Sequence, residues 1–300
     1  MLGSTTPSEK TVENVWPPRW GQERRLEFIE FRLLWDGRLN RADLTSFFGI
    51  SVPQASLDLA KYMELAPENM FYDRQEKAYL TASAFSPALG TSDSHVFLNQ
   101  IRQIEAGMLT RESTFIGWYP PAGVVRHPTR KVDPATLRAV LLAIRRKETL
   151  RINYQSMNRP DPVTREISPH AIVFDGVRWH VRAFCSLRKD YRDFVLARIL
   201  EFKKGETAAV AADADSSWSN MIEVRIRAKS DLPLGQRRAI ELDYGMDNGS
   251  LGIETREALL FYVLQQLCLL PDQKTEAPFC QLELVNPSAL SPFLGAFADA

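Results

Sequence analysis

The chain has 300 residues, of which 45% are apolar and 25% charged, the composition of an ordinary globular protein with two or three domains. It contains no apolar stretch near the roughly 18–20 residues that a membrane span needs. Its polar N-terminal segment has no signal-peptide core, so we expect a cytoplasmic protein with no membrane partner. Three widely separated cysteines fit a reducing compartment better than a disulfide framework.

The formal net charge is zero, which taken alone argues against a protein that binds polyanions. The charges are unevenly distributed, however, with nets of −2 over residues 1–92, +9 over 93–205 and −7 over 206–300. Fifteen of the twenty basic residues in the middle segment are arginines, the side chain suited to bidentate phosphate contacts. This asymmetry favours three units with an anion-binding middle one, although the basic and acidic segments could instead pair with each other.

The N-terminal segment has the element order of a winged helix-turn-helix. Apolar spacing predicts a first helix over 23–36, a short second helix capped by Asn40, and a third opened by a capping box of Ser51 and Gln54. A hairpin with a charged tip is predicted over 69–81.

The third helix supports that interpretation because its two faces differ. The predicted packing stripe consists of Ala55, Leu59, Tyr62 and Met63, and the predicted outward residues are Gln54, Ser56, Leu57, Asp58 and Lys61. Gln and Ser near a helix N-terminus reach base edges in the major groove, whereas Lys reaches phosphates. The candidate DNA-contacting residues are Arg38, Arg41, Ser51, Gln54, Ser56, Lys61, Arg74 and Lys77. The alternative is a three-helix scaffold that binds only protein.

The basic middle segment changes to a period of two residues, which predicts short antiparallel strands. We expect a helix over 134–147 and then strands over 150–156, 164–174, 177–184 and 191–199, with a tight turn at Asp175-Gly176. The third strand alternates between an apolar face (Val177, Trp179, Val181, Ala183) and a polar face (Arg178, His180, Arg182). The pattern predicts a small Sm-like or SH3-like barrel with an arginine-rich surface suited to a phosphate-bearing, base-stacking ligand.

The same residues carry a resemblance to a known family. The matching segments are Tyr154-x-Ser156, Ser168-Pro169-His170, Asp175-Gly176-x-Arg178-Trp179-His180-Val181-Arg182-Ala183 and Arg192-x-Phe194-x-x-x-Arg198-Ile199. They resemble the WYL domain, which is named for a Trp-Tyr-Leu strand that here reads Trp179-His180-Val181. The departure keeps the pattern of a buried Trp, a polar middle residue and an apolar third residue.

With the winged helix upstream and an α/β tail downstream, the resemblance covers nearly the whole chain. It is closest to the WYL-domain repressors of bacterial phage-defence operons such as BREX and CBASS. The resemblance implies a homodimer that binds palindromic operator DNA, and a WYL domain that senses a nucleotide or nucleic-acid ligand. The implied ligand-binding residues are Tyr154, Ser156, His170, His180, Arg182, Arg192, Phe194 and Arg198.

The acidic tail has a linker over 206–217, followed by a mixture of strands and helices. We expect a strand over 221–228, a helix over 233–242, a helix over 255–269 and a last strand over 279–285. This order resembles the C-terminal extension of WYL regulators, a small α/β sandwich used in dimerisation.

The sequence therefore predicts an α+β multidomain repressor and no enzyme, metal or cofactor. The four histidines show no metal-ligand spacing, and a nucleophilic pair of Cys185 and His180 is only formally possible. The expected domains are a winged helix over 1–92, a linker and bracing helix over 93–132, a WYL sensor over 133–205 and a dimerisation extension over 206–300. The alternative function is a single-stranded nucleic-acid or nucleotide binder whose winged helix makes protein contacts.

Overall fold

A computed structural model of the chain describes residues 18–90, 92–125, 128, 130–270 and 280–294. The start of the predicted last strand, at residue 279, lies outside these ranges. The chain forms two compact units, residues 1–127 and 128–300. Across the described ranges, we find no helix that is both long and apolar enough to span a membrane.

The first unit contains the predicted winged helix-turn-helix. Its elements are α1 (Pro18–Asp36), β1 (Arg38–Leu39), α2 (Arg41–Phe48), α3 (Val52–Leu65), β2 (Met70–Asp73), β3 (Ala78–Thr81) and α4 (Ser94–Glu105). The strands form an antiparallel sheet in the order β1-β3-β2, so the predicted hairpin is confirmed. The two-residue strand β1 was not predicted because it is too short to show alternation.

The predicted helix caps are confirmed, with one correction. Asn40 accepts a hydrogen bond from the Asp43 amide and Asp43 accepts one from the Asn40 amide, a complete capping box. Ser51 accepts from the Gln54 amide as predicted, but the Gln54 side chain donates to Asp58 instead of reaching back to the cap. The predicted second half of that capping box is therefore wrong.

The core of this unit joins the three helices to the segment after the wing. Phe28 of α1 packs against Phe47 and Phe48 of α2, and Phe115 closes the same aromatic cluster. Helix α4 stacks on α1 through Phe97 and Trp35, whose ring centroids lie 5.0 Å apart. The helix that was expected to brace domains or a partner subunit thus packs on the winged helix itself.

The second unit opens with α5 and a five-stranded antiparallel sheet. The elements are α5 (Pro134–Arg146), β4 (Leu150–Tyr154), β5 (Val163–Phe174), β6 (Trp179–Cys185), β7 (Asp190–Val195) and β8 (Ile199–Lys204). The strand order is β7-β6-β5-β4-β8, so the last strand pairs beside the first. The described strands show no pairing between β7 and β8, so closure of the sheet into the predicted barrel is not observed among them.

The predicted faces of β6 need correction. Trp179 is 48% exposed and Val177 59% exposed, so the expected buried Trp is wrong. Val181 and Ala183 are buried as expected, but so are His180 and Arg182 from the polar face. The polar face is covered because acidic and aromatic side chains from residues after the sheet pack against it.

The remainder of this unit is a second α/β layer. Its elements are α6 (Ser216–Ser219), β9 (Met221–Ala228), α7 (Leu234–Asp243), β10 (Leu251–Arg256), α8 (Leu260–Gln266), β11 (Leu282–Leu284) and α9 (Pro287–Leu294). The strand order is β10-β9-β11. The helix predicted over 255–269 is shorter, because residues 251–256 pair with β9 as a strand.

Candidate nucleic-acid interface and sensor cavity

Helix α3 is fixed to α1 by a buried ion pair. Asp58 is fully buried, and its carboxylate accepts hydrogen bonds from Arg25 Nε at 2.6 Å and from a terminal guanidinium nitrogen at 3.2 Å. The prediction that Asp58 faces outward is therefore wrong, because its charge is neutralised inside the unit. The prediction that Met63 belongs to the packing stripe is also wrong, since Met63 is partly exposed beside the fully buried Tyr62.

The remaining outward face of α3 presents both polar and apolar groups. Leu57 is 63% exposed, and Lys61 is exposed in an ion pair with Glu64 at 3.0 Å. Gln54 is half-buried and donates to Asp58 at 3.1 Å, while the Ser56 hydroxyl donates to the Val52 carbonyl at 3.0 Å. The buried carboxylate thus holds the Gln54 amide in one orientation at the helix N-terminus.

The predicted phosphate-contacting residues lie on and near the wing. Arg74 and Lys77 are exposed in the turn between β2 and β3, and Arg38 of β1 pairs with Glu76 in that turn at 3.3 Å. Arg41 is exposed in the first turn of α2. Ser51 caps α3, so its hydroxyl is engaged with backbone.

The second unit contains a cavity of about 570 Å³ between the five-stranded sheet and helix α8. All of the predicted ligand-binding residues except His170 line it. Its aromatic walls come from the sheet (Tyr154, Phe194) and from α8 (Phe261, Tyr262). A cavity of this size is typical of sites for small-molecule ligands.

Arg182 lies at the centre of a buried ion-pair network. Its guanidinium donates to both carboxylate oxygens of Asp215, at 2.6 and 2.9 Å, and to Asp193 at 3.3 Å. Burial alone would raise the pKa of Asp215, but the Arg182 guanidinium outweighs it and holds that pKa below its ordinary value. Arg182 is therefore committed to protein carboxylates rather than open to a ligand.

His170 belongs to the same network from outside the cavity. Its Nε2 lies 3.0 Å from Asp215 Oδ2, the carboxylate oxygen that also accepts from Arg182 Nε. Burial lowers the pKa of His170 more strongly than the Asp215 carboxylate raises it. The neutral imidazole is thus favoured in the folded protein.

His180 and Asp175 form a second buried pair at the turn before β6. Their Nε2 and carboxylate oxygen lie 2.8 Å apart, and the carboxylate also accepts from the Val177 and Arg178 amides. Burial opposes the charge, yet these donors lower the pKa of Asp175 to about 2. Among the described residues, His180 Nδ1 is buried without a hydrogen-bond partner.

Helix α8 is tied to the sheet through the same groups. The Tyr262 hydroxyl donates to Asp193 at 3.0 Å, and the Gln266 amide donates to the Asp175 carbonyl. Burial, together with the Asp193 carboxylate, raises the pKa of Tyr262, so its hydroxyl remains a donor. The cavity wall therefore connects the five-stranded sheet to the C-terminal layer.

Sequence reasoning missed several residues of this site: Arg165, Asp175, Asp193, Asp215 and Tyr262. Asp193 had a usable signal, because it lies directly opposite Arg182 in the β6–β7 register. Asp215 had none, since it sits in a segment whose composition predicts a linker.

The formal Cys185–His180 nucleophile is not assembled. Cys185 is fully buried and its sulfur accepts a hydrogen bond from Arg165 at 3.7 Å, while His180 is engaged with Asp175. No cluster of three or more possible metal ligands occurs in the part of the chain that the structure describes.

Three family models match three successive parts of the chain. Residues 21–103 match the BrxR transcriptional regulator winged helix-turn-helix domain, residues 135–204 the WYL domain, and residues 221–290 the BrxR transcriptional regulator C-terminal dimerization domain. The WYL resemblance predicted from the strand motifs is thereby confirmed.

Relatives of similar length share a common name, DNA-binding transcriptional repressor CapW. One from Escherichia coli (strain KTE188) is 43% identical over 92% of this chain and 93% of its own. One from Stenotrophomonas maltophilia is 41% identical over 84% of each chain, and one from Pseudomonas aeruginosa is 40% identical over 94% of each. A solved structure of proteasome accessory factor B/C of Arthrobacter aurescens is 15% identical with a TM-score of 0.26; the match covers 98% of this chain and about half (52%) of that one. The chain belongs to the CapW family of DNA-binding transcriptional repressors.

Proposed function

We propose that this protein is a homodimeric, sequence-specific DNA-binding transcriptional repressor of a bacterial phage-defence operon. The observation that carries the proposal is the outward face of α3, which the buried Arg25–Asp58 pair fixes in place with Gln54 oriented at its N-terminus. The similarity to CapW repressors and the dimerisation-domain match support the same function. A repressor of this kind acts on DNA in the cytoplasm.

Six of the eight candidate DNA-contacting residues have a proposed role. Gln54 and Ser56 read base edges in the major groove, exchanging their present hydrogen bonds for contacts to bases. Lys61 and Arg41 contact phosphates, and the wing places Arg74 and Lys77 on the adjacent backbone. Two-fold symmetry then requires a palindromic operator with half-sites separated by about a whole number of helical turns.

Selection from a library that contains both random duplexes and random single strands tests this proposal. Wild-type protein should enrich an inverted repeat, and the complex should contain two protomers. A library without any enriched motif, or enrichment of single-stranded sequences only, contradicts it. The second outcome supports instead a single-stranded nucleic-acid binder whose winged helix contacts protein.

We infer that the cavity of the second unit binds a nucleotide or oligonucleotide effector that alters DNA affinity. Arginines and aromatic rings line it together, the combination that phosphates and bases require. The pairing of β8 beside β4 supports the proposal that this domain has an Sm-like or SH3-like fold. Operator binding measured by anisotropy, with and without short oligodeoxynucleotides, tests the effector role, and an unchanged affinity at saturating oligonucleotide contradicts it.

A further inference from the structure

Arg165 occupies an apolar position on strand β5. Strand alternation places it on the same face as Ile167, which is fully buried, and it lies opposite Ile152 of β4 in the antiparallel register. Arg165 itself is only 7% exposed. A guanidinium that cannot lose its charge is thus held among core residues of the sheet.

The charge of Arg165 has no carboxylate partner in the described part of the chain. A terminal nitrogen of Arg165 donates a hydrogen bond to Cys185 Sγ at 3.7 Å, and its Nε is buried with no hydrogen-bond partner among the described residues. Sulfur is a weak acceptor and does not neutralise a cation. A buried, uncompensated charge is strongly unfavourable, so the site is complete only with an anion.

Two other arginines of the cavity differ in this respect. Arg182 is neutralised by Asp215 and Asp193, and Arg178 by Asp175 at 3.1 Å. Arg165 lines the same cavity, and that cavity also presents the aromatic rings of Tyr154 and Phe194. For an anion that enters the cavity beside these protein rings, Arg165 is therefore a buried, uncompensated hydrogen-bond donor.

We propose that Arg165 is the anchor for a phosphoryl group of the effector. This assignment rests on the proposed effector function and names the part of the ligand that the cavity recognises first. The planar guanidinium matches two oxygens of a phosphate, and in a buried site such a charge-assisted contact is both strong and directional. The nucleoside portion then lies along the aromatic wall.

The experiment measures thermal shifts and calorimetric binding on the full chain with four probes: thymidine monophosphate, thymidine, inorganic pyrophosphate and citrate. Wild-type protein should be stabilised by thymidine monophosphate and pyrophosphate but not by thymidine or citrate. Arg165→Met should weaken phosphate binding at least about tenfold, a size typical of losing one charge-assisted contact. Its melting temperature without probe should equal or exceed that of wild type, because an unpaired buried charge has been removed.

Arg188→Met is the matched control, because Arg188 lines the same cavity but is exposed to solvent. It should weaken binding less than about threefold, as expected for a screened contact. Arg165→Lys keeps the positive charge but lacks the planar guanidinium that donates two parallel hydrogen bonds. This variant should fold and should bind phosphate compounds more weakly than wild type does.

Several outcomes overturn the assignment. For the wild-type protein, these are stabilisation by citrate equal to that by pyrophosphate, or no stabilisation by any phosphate compound. For Arg165→Met, these are unchanged phosphate binding, or a melting temperature without probe that is lower than that of wild type. Unchanged nucleotide binding in Arg165→Met leaves the effector proposal standing. Arg165-dependent binding that never alters operator affinity overturns the effector proposal and leaves the phosphoryl site standing.

Discussion

At the residue scale, Asp58 determines how the recognition helix is presented. Its buried carboxylate accepts from Arg25 on α1 and from Gln54 on its own helix. One side chain therefore both anchors α3 to the core and orients a candidate base-reading group.

Replacing Asp58 by Ala should destabilise the winged-helix unit by about 3 kcal/mol, because Arg25 is left as a largely buried, uncompensated charge. Urea unfolding of the full chain measures the change. Glu64→Ala on the same helix breaks only the exposed Lys61–Glu64 pair and should cost less than about 1 kcal/mol. Equal effects from the two variants are inconsistent with a structural role for Asp58.

Base-reading and phosphate-contacting residues of α3 should respond differently to truncation. Gln54→Ala should lower affinity for the operator by about 1–3 kcal/mol and relax sequence preference, because a base-edge contact is lost. Lys61→Ala should weaken all duplexes about equally and reduce the slope of log affinity against log salt by about one. Anisotropy titrations on operator and scrambled duplexes at several salt concentrations separate the two patterns; a uniform loss in Gln54→Ala speaks against base reading.

At the element scale, the sheet of the second unit shows what a strand pattern predicts and what it leaves open. Alternation correctly located β6, but it did not show that Trp179 of the apolar face is exposed or that His180 and Arg182 of the polar face are covered. The cover over His180 and Arg182 comes from Asp215 and Tyr262, which are distant in sequence. Local periodicity carries no information about such contacts, so the buried polar network could not be predicted.

The C-terminal layer gives the complementary example. Leu259, Tyr262 and Val263 have helical spacing, and α8 is indeed present. The preceding residues 251–256 are drawn into a strand by pairing with β9. Tertiary pairing here overrides the predicted helix only at Thr255 and Arg256. The caps of α2 and α3 depend on neighbouring residues and were largely predictable.

Strand β5 is linked to residues 206–220 through a titratable contact, His170 with Asp215. Because burial lowers the pKa of His170 below 6.5, the unfolded state takes up a proton more readily. The stability that the neutral imidazole contributes is present above about pH 6.5 and is lost as the pH falls below it.

The free energy of unfolding should therefore decrease between pH 7 and pH 5, and His170→Gln should reduce that decrease while keeping a donor to Asp215. Urea unfolding across this range measures both slopes. His95→Gln serves as the control, since His95 is exposed on α4. If wild type and His170→Gln show an identical pH dependence of the free energy of unfolding, His170 is not the source of that dependence.

At the scale of the whole molecule, the net charge of zero hides unequal segments, but the structure changes what the +9 of the middle segment means. Arg182 and Arg178 are neutralised within the fold by Asp215 and Asp175. The positive charge open to a ligand is therefore smaller than the residue count indicates. We propose that anion binding depends on a few placed arginines, among which Arg165 is buried without a carboxylate partner in the described part of the chain, and that operator binding depends on placed side chains of α3 and the wing.

We propose that this chain binds one palindromic DNA site as a dimer. Footprinting of the DNA upstream of its own gene, at low salt, tests that claim most directly. We predict one protected inverted repeat whose half-sites lie about a whole number of helical turns apart, about 10–10.5 base pairs per turn. Absence of any protected inverted repeat under these conditions contradicts the claim.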